Sequence, residues 1–269
     1  MIRTMDPAPF VAIADHPEVR PWLGIIDPHA TINQIIAPIV VNPANYCLLT
    51  PQGDGGYILT RLAPGLYASH TLALPSARGR PMLRLMREGF QFMFSATDAV
   101  EIVTQIPDGN DNAARWSDVA GFRDTFRREK CFHLMGEKVG SRFRSLSWQD
   151  WAISSPQCRT AGVTFHDALH EHGAVDHDID PVHDALAGAS MLCAAQGLVT
   201  KGVSLYNRWA LTAGYMPAQV ISDAPPLVDI GTAVVGLCDG VLTVLSSQRT
   251  REARPFLPKD ENAPCPLEL

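Results

Sequence analysis

A short basic motif stands where a predicted strand leads into a predicted helix. Arg78-Gly79-Arg80 follows the strand-like run Leu66–Leu74, and apolar residues at helical spacing begin at Met82. A helix N-terminus offers unpaired N–H groups and the positive end of the helix dipole, so a glycine and arginines there are typical of an anion site. Because the motif is short, the alternative is an ordinary capped helix with solvated arginines.

A second group of side chains that could take part in chemistry lies between residues 166 and 184. It consists of His166, His170, His172, His177 and His183, interleaved with Asp167, Glu171, Asp176, Asp178, Asp180 and Asp184. His166 and His170 lie one helical turn apart and could share a metal ion. The segment lacks the glutamate of the zinc-protease motif. We favour the alternative, a solvated acidic surface that responds to pH, and predict no metal site.

The composition is that of a globular protein. The chain has 269 residues, of which 46% are hydrophobic and 19% charged, so it can form one large domain or two ordinary ones. A formal net charge of −6 excludes a generally basic nucleic-acid-binding protein. The six cysteines form no CxxC pair, which indicates a reducing compartment. The most apolar stretch, 226–245, contains Asp229 and Asp239 and predicts strands rather than a membrane span.

The elements that position the basic motif belong to the first half of the chain. Tyr46–Thr50, Tyr57–Leu62 and Leu66–Leu74 predict an antiparallel meander, because strong turn signals separate them. A helix follows, with Pro81 at its first position. The remaining predictions are a strand at Glu101–Ile106, a helix capped by Asn110 or Asp111 and ended by Gly121, strands at Arg123–Glu129 and Arg142–Leu146, and a helical turn at Ser147–Trp151.

A change in character after Ser154-Ser155-Pro156 predicts a second domain. We place the domains at 1–152 and 160–248, with an extended tail at 249–269. The second domain is predicted to be a smaller α+β unit, with helices at Thr164–His172 and Pro181–Ala195, strands at Val220–Ser222, Leu227–Leu237 and Val241–Leu245, and a hairpin turn at Asp239-Gly240.

Two segments of this second domain raise the question of partners. The small residues of Pro181–Ala195 allow another helix to approach closely, which indicates either tight internal packing or self-association. Tyr206-Asn207-Arg208-Trp209 contains residue types that are enriched at binding hot spots, but it could equally anchor the core of the domain.

A more specific pattern follows the basic motif. Asn110 and Ala113 form Asn-x-x-Ala, and Gly121-Phe122 begins eleven residues after the asparagine. With Arg78-Gly79, this spacing resembles the Gcn5-related N-acyltransferase (GNAT) superfamily, and the order of elements from about Phe10 to Trp151 is similar too. The resemblance implies a mixed, mostly antiparallel sheet flanked by helices. It also implies acetyl-CoA as cofactor, held by Arg78, Gly79, Arg80 and Asn110.

The chain departs from the family pattern at several of these positions. Pro81 replaces the second glycine of the family loop and removes an N–H, and Leu83 adds bulk at the third position. Ser117 stands where the family often has a tyrosine as general acid. The resemblance leaves His70, on the central predicted strand, as candidate general base and Ser117 as the second catalytic candidate. The alternative for His70 is a half-buried structural histidine.

Two functional hypotheses follow. The favoured one is a GNAT scaffold with an eroded acyl-CoA site that serves as a non-catalytic structural protein. This pattern, with His16–Trp22, is similar to GNAT-like proteins encoded by tailed bacteriophages, including internal virion proteins. It implies other protein subunits or further copies of the chain as partners, and a location in the host cytoplasm or a virion. The alternative is an active acyl-CoA-dependent N-acyltransferase whose amine acceptor is unknown.

Overall fold

The computed structural model describes residues 1–24, 29–134, 136–174, 180–223, 225–238 and 241–247. The chain divides into two compact units, unit 1 at Met1–Ser154 and unit 2 at Ser155–Leu269. The predicted tail at 249–269 and the predicted turn at Asp239-Gly240 lie outside the described residues. Among the helices that are described, none has the length and apolar character needed to cross a membrane.

Unit 1 is a seven-stranded sheet with helices on both faces, in the strand order β1-β2-β3-β4-β5-β7-β6. Its strands are β1 (Ile2–Arg3), β2 (Tyr46–Leu49), β3 (Gly55–Ala63), β4 (Leu66–Ala73), β5 (Glu101–Pro107), β6 (Arg123–Leu134) and β7 (Glu137–Ser147). Its helices are α1 (Ala8–Ala14), α2 (Ile32–Val40), α3 (Arg80–Ala96), α4 (Asp111–Val119) and α5 (Trp148–Ser154). The strands pair in antiparallel fashion except β4 and β5. The predicted fold class of this part is therefore confirmed.

The core of unit 1 lies on the two faces of this sheet. On one face Phe10 and Ile13 of α1 and Ile36 of α2 pack against Ile58 and Leu72 of the sheet. On the other face lies α3, whose apolar residues recur at helical spacing and are buried: Met82, Leu85, Met86, Phe90, Met93 and Phe94. Helix α3 begins at Arg80, so Pro81 is its second residue rather than its first. The meander predicted for β2, β3 and β4 is confirmed.

The two edges of the sheet differ. The edge strand β1 has only two residues. The opposite edge strand, β6, is exposed from Arg123 to Lys130, and its pairing with β7 shifts register between Asp124 and Phe126 and again between Arg128 and Phe132. Lys130 lies in the second irregularity with a φ of 48°, in the left-handed region. Strand β6 runs on through this irregularity and ends at Leu134, beyond the predicted end at Glu129.

The described residues of unit 2 form three helices and a four-stranded antiparallel sheet in the order β11-β10-β9-β8. The elements are α6 (Pro156–Glu171), α7 (Pro181–Ala194), α8 (Val199–Ala213), β8 (Gln219–Asp223), β9 (Pro226–Asp229), β10 (Ala233–Cys238) and β11 (Val241–Ser247). The single strand predicted at Leu227–Leu237 was wrong, because Gly231, with a φ of 84°, forms a turn between β9 and β10. Helix α8, which holds Tyr206 and Trp209, was not predicted as a helix.

Helices α6 and α7 touch through their backbones at two glycines. A Cβ atom added at Gly188 would lie 2.0 Å from the carbonyl oxygen of Cys158, and one added at Gly162 would lie 1.8 Å from that of Asp184. Both positions therefore require glycine. The small residues of α7 serve tight packing inside unit 2, which is one of the two alternatives that the sequence left open.

Candidate functional site

Strands β4 and β5 pair in parallel and then separate. Their pairing joins Leu66–Ala68 to Glu101–Val103 and goes no further. Each strand keeps its other partner along its length, β4 with β3 and β5 with β7. Beyond the paired residues, the Thr104 hydroxyl donates to the Ser69 carbonyl at 3.2 Å. Within the described part of the chain, the facing edges of the two strands thus carry backbone N–H and C=O groups that no neighbouring strand pairs.

A cleft of about 1190 Å³ opens where these strands separate. Four of the six predicted site residues line it, namely His70, Arg78, Asn110 and Ser117. They come from β4, the segment before α3, the segment before α4, and α4 itself. As far as the described residues show, Gly79 and Arg80 do not line the cleft and lie beside it at the start of α3.

The start of α3 is an open helix N-terminus. No side chain of the described residues caps it, and its N-cap residue, Gly79, has φ 99° and ψ −132°, a conformation that residues other than glycine rarely adopt. The Leu83 N–H already donates to the Gly79 carbonyl at 3.0 Å, and Pro81 has no N–H. The N–H groups of Arg80 and Met82 are therefore those of the first turn that can meet an anion.

Arg78 holds an ion pair at the cleft. Its Nη1 atom donates to Glu18 Oε2 at 2.9 Å, and both side chains are about half exposed. Exposed pairs of this kind contribute about 0–1 kcal/mol. An anionic ligand with several oxygens can therefore replace Glu18 as the ion-pair partner of Arg78 at little cost in free energy.

His70 is the candidate base on the wall of the cleft. Its ring is open to the cleft, and Nε2 lies 3.5 Å from the Thr60 hydroxyl oxygen. The surrounding walls displace bulk water and so lower the pKa of His70 below its ordinary value. The ring is therefore neutral at pH 7 and has a nitrogen that can accept a proton. Its catalytic role remains a prediction.

Ser117 is engaged in bonds within the fold. Its hydroxyl donates to the Ala114 carbonyl at 2.7 Å and accepts from Arg144 Nη1 at 2.5 Å. Arg144 is buried and also donates to Asp118 and Asp124 at 2.5 Å each. This network ties α4 to β6 and β7. The predicted catalytic role of Ser117 remains a prediction, but these bonds already use its only proton.

The Asn-x-x-Ala and Gly-Phe motif has a structural explanation as well. Asn110 caps α4, since its Oδ1 accepts from the Ala113 N–H at 3.1 Å. Gly121 follows the helix with a φ of 84°, and the ring of Phe122 packs against Phe90 at a centroid distance of 5.7 Å. The spacing of the motif is therefore the length of one capped helix and its exit. Binding of a cofactor by Asn110 remains a prediction.

Several residues of the cleft were not predicted. They include Glu18 and Trp22 from the segment after α1, Gln105 from β5, and Cys131 and His133 from the end of β6. Gln105 Nε2 donates to the Ser141 hydroxyl at 3.1 Å, so its amide is held across to β7. No local sequence signal marks these residues, because distant segments bring them to the cleft.

The histidine-rich segment of unit 2 does not assemble a metal centre in the part of the chain that the structure describes. No three histidine, cysteine or acidic side chains there are grouped so that they could hold a metal ion. Asp176, His177 and Asp178 lie outside the described residues. His166 instead faces Asp184, and His172 Nδ1 lies 2.9 Å from the Ala168 carbonyl.

The geometry of unit 1 defines a class of fold, a mixed, mostly antiparallel sheet whose one parallel pair of strands separates beside an open helix N-terminus. No family model matches the sequence, and no curated protein matches it. Similarity is found among solved structures, over about half of the chain.

Three of these structures illustrate the similarity. A spermidine N-acetyltransferase from Vibrio cholerae, in complex with CoA and spermine, is 11% identical, with a TM-score of 0.47 over 56% of this chain and 94% of that one. A protein from Streptococcus mutans is 16% identical, with a TM-score of 0.45 over 55% and 99%. A ribosomal-protein-S5-alanine acetyltransferase from Vibrio fischeri is 17% identical, with a TM-score of 0.44 over 54% and 87%.

Proposed function

We propose that unit 1 binds an acyl-CoA thioester in its cleft and transfers the acyl group to an amine. The separation of β4 and β5 carries this proposal, because it leaves two strand edges with backbone groups to pair. The pantetheine arm of CoA is an extended chain with amide groups, and it can pair with such an edge much as an added strand does. The pyrophosphate then meets the N-terminus of α3 and Arg78 and Arg80.

The proposed reaction needs one group that moves a proton, and His70 can be that group. The amine nitrogen attacks the thioester carbonyl and forms a C–N bond, while neutral His70 takes a proton from that nitrogen. The C–S bond then breaks, and the proton passes from His70 to the departing sulfur. The products are an amide and free CoA, so the step needs no further reactant. No tyrosine is required at position 117.

A second candidate is the non-catalytic scaffold, in a virion or another assembly, that the resemblance to phage proteins implies. Specific observations favour it. Ser117 donates its proton within the fold, and Pro81 removes an N–H from the anion site. In this case the cleft is a remnant, and the partners are protein subunits.

Calorimetry on the full chain with acetyl-CoA and with desulfo-CoA separates the two candidates. We expect micromolar binding of both, weakened at least about tenfold, or about 1.4 kcal/mol, by Arg78→Ala combined with Arg80→Ala. Arg87→Ala is the matched control, because Arg87 is an exposed arginine of α3 outside the cleft lining. Release of free thiol with a panel of amines then measures transfer, which His70→Gln should abolish.

Each result has a definite meaning. Absence of binding at millimolar CoA rejects the proposal and leaves the scaffold. Binding that the Arg78 and Arg80 substitutions do not change rejects the assignment of the anion site. Binding without thiol release for any amine in the panel rejects catalysis and supports a scaffold that retains its ligand.

A further inference from the structure

Unit 2 contains a cavity of its own, outside the proposed acyl-CoA site. Its volume of about 340 Å³ lies at the lower end of the usual range for small-molecule pockets. All three described helices and the sheet contribute apolar side chains to its wall: Leu169 of α6, Met191 of α7, Val203 of α8, Val235 of β10 and Leu242 of β11. All of these except Val203 also belong to one hydrophobic cluster. The cavity is therefore a space within the core of unit 2 and is not confined to one surface loop.

Several polar side chains of the wall are grouped together and bonded within the fold. The Tyr206 hydroxyl lies 3.0 Å from His183 Nε2, and the ring of His183 lies 4.9 Å from that of Tyr215. The Tyr215 hydroxyl donates to Asp180 Oδ2 at 2.8 Å, and Asp180 Oδ1 accepts from the Val182 N–H at 2.8 Å. A ligand is therefore not needed to satisfy these polar groups, and a ligand that is mainly apolar leaves their bonds intact.

The described part of this wall is unfavourable for a charged ligand. Burial raises the pKa of Asp180, but the hydrogen bonds from Tyr215 and Val182 outweigh it and hold that pKa below its ordinary value. Asp180 is therefore negatively charged at pH 7 and repels a carboxylate, whereas an ammonium group meets carboxylate oxygens that already accept hydrogen bonds. His166 Nε2 and the carboxylate oxygens of Asp184 are buried, so a ligand in the cavity does not reach them. Because moving an unpaired charge out of water is costly, the wall favours an uncharged molecule.

From these observations we propose that the cavity binds an uncharged, mainly apolar small molecule. The hydrocarbon part of the ligand lies among the aliphatic side chains of the helices and the sheet, and the hydroxyl groups that Ser190 and Thr232 bring to the lining carry no charge. The binding energy comes from the removal of apolar surface from water. The site is independent of the proposed acyl-CoA cleft, since all of its described residues belong to unit 2.

Calorimetry on the full chain at pH 7 tests this proposal with four probes. Hexanol, hexylamine and hexanoate have chains of the same length and differ in charge, and butanol is an alcohol with a shorter chain. We expect hexanol to bind at least about tenfold more tightly than either charged probe. Each buried methylene group tightens binding about fourfold, so butanol should bind about fifteenfold more weakly than hexanol.

Substitutions at α7 locate the binding. Ala187 lines the cavity and is buried, so Ala187→Leu should fill part of the space and weaken hexanol binding at least about tenfold. Ala195→Leu is the matched control and should leave hexanol binding unchanged, because Ala195 directly follows α7, is exposed and is not among the described residues of the lining. Ala194 is half-buried in the same wall, so Ala194→Leu is a second filling variant if circular dichroism shows that Ala187→Leu fails to fold.

The probes of equal length give the proposal a definite way to fail. Equal affinities for hexanol and the charged probes would overturn it, because the wall would then not select against charge. Tightest binding of hexylamine or hexanoate would overturn it in favour of a site that recognises charge. Hexanol binding that survives both Ala187→Leu and Ala194→Leu would lie elsewhere on the chain and would reject the site, and so would absence of hexanol binding at millimolar concentration.

Discussion

Replacement of Gly188 by alanine should destabilise unit 2 strongly. The added Cβ would lie 2.0 Å from the Cys158 carbonyl oxygen and 2.5 Å from the Gly162 nitrogen, whereas carbon and oxygen atoms in close contact lie about 3.3–3.6 Å apart. Helices α6 and α7 must therefore separate by more than about 1 Å. Overpacking costs about 1–3 kcal/mol, and the upper end applies because the obstructing atoms are backbone.

The higher helix propensity of alanine offsets part of this loss of stability. Alanine is a better helix former than glycine by about 1 kcal/mol, so the free energy of unfolding of unit 2 should fall by about 2 kcal/mol. Amide hydrogen exchange in increasing urea, read by mass spectrometry on peptides from α7, measures this value for unit 2 separately from unit 1. The full chain is used, because the two units need not unfold together.

Gly89→Ala in α3 is the matched control. There the added Cβ would meet only the flexible Leu48 Cδ1 at 3.0 Å, so the change should be neutral or stabilise unit 1 by up to about 1 kcal/mol. Unchanged stability of the Gly188→Ala variant would refute the inference that the two helix backbones touch. Equal losses in both variants would show that alanine is simply poorly tolerated in this chain.

Three further predictions concern unit 1. Glu18→Gln should release Arg78 and strengthen CoA binding by up to about fivefold in calorimetry, an effect of about 1 kcal/mol that added salt reduces; weaker binding would show that Glu18 supports the site. If His70 accepts the proton, kcat/KM should fall on the acid side only below the ordinary histidine pKa, because the pKa of His70 is lowered; a limb at or above pH 6.5 would contradict this. Arg144→Met should lower the free energy of unfolding of unit 1 by about 1–3 kcal/mol, because the Ser117 hydroxyl and the Ala114 carbonyl lose a buried donor. The carboxylates of Asp118 and Asp124 stay hydrated and add little to this loss. An unchanged free energy in urea unfolding would contradict the prediction.

The elements that the sequence predicted are those with local signals. The meander of β2, β3 and β4 has glycine-rich turns between its strands, and α3 and α4 have a helical period and a recognisable first turn. Helix α8 was missed because its polar and aromatic residues, such as Tyr206-Asn207-Arg208-Trp209, hide its period. Gly231 was overlooked because apolar strand-forming residues lie on both sides of it.

The candidate site was predicted in part for the same reason. The resemblance identified His70, Arg78, Asn110 and Ser117 as site residues. In the structure these four residues line one cleft. It could not show that Ser117 accepts from Arg144, which lies 27 residues further along the chain and reaches α4 only through the pairing of β7. Sequence patterns identify which residues gather in a site. Tertiary contacts decide which of their hydroxyl protons are already donated within the fold, as that of Ser117 is.

The edge strand β6 has a consequence for how molecules of this chain meet one another. Six of its first eight residues are charged, all eight are exposed, and its backbone is irregular at two points. A strand from another molecule would have to align with a bent, charged backbone, which is a poor template for edge-to-edge pairing. Since β1 at the opposite edge has only two residues, neither edge strand of unit 1 offers a long, regular backbone with which a strand of another molecule could pair.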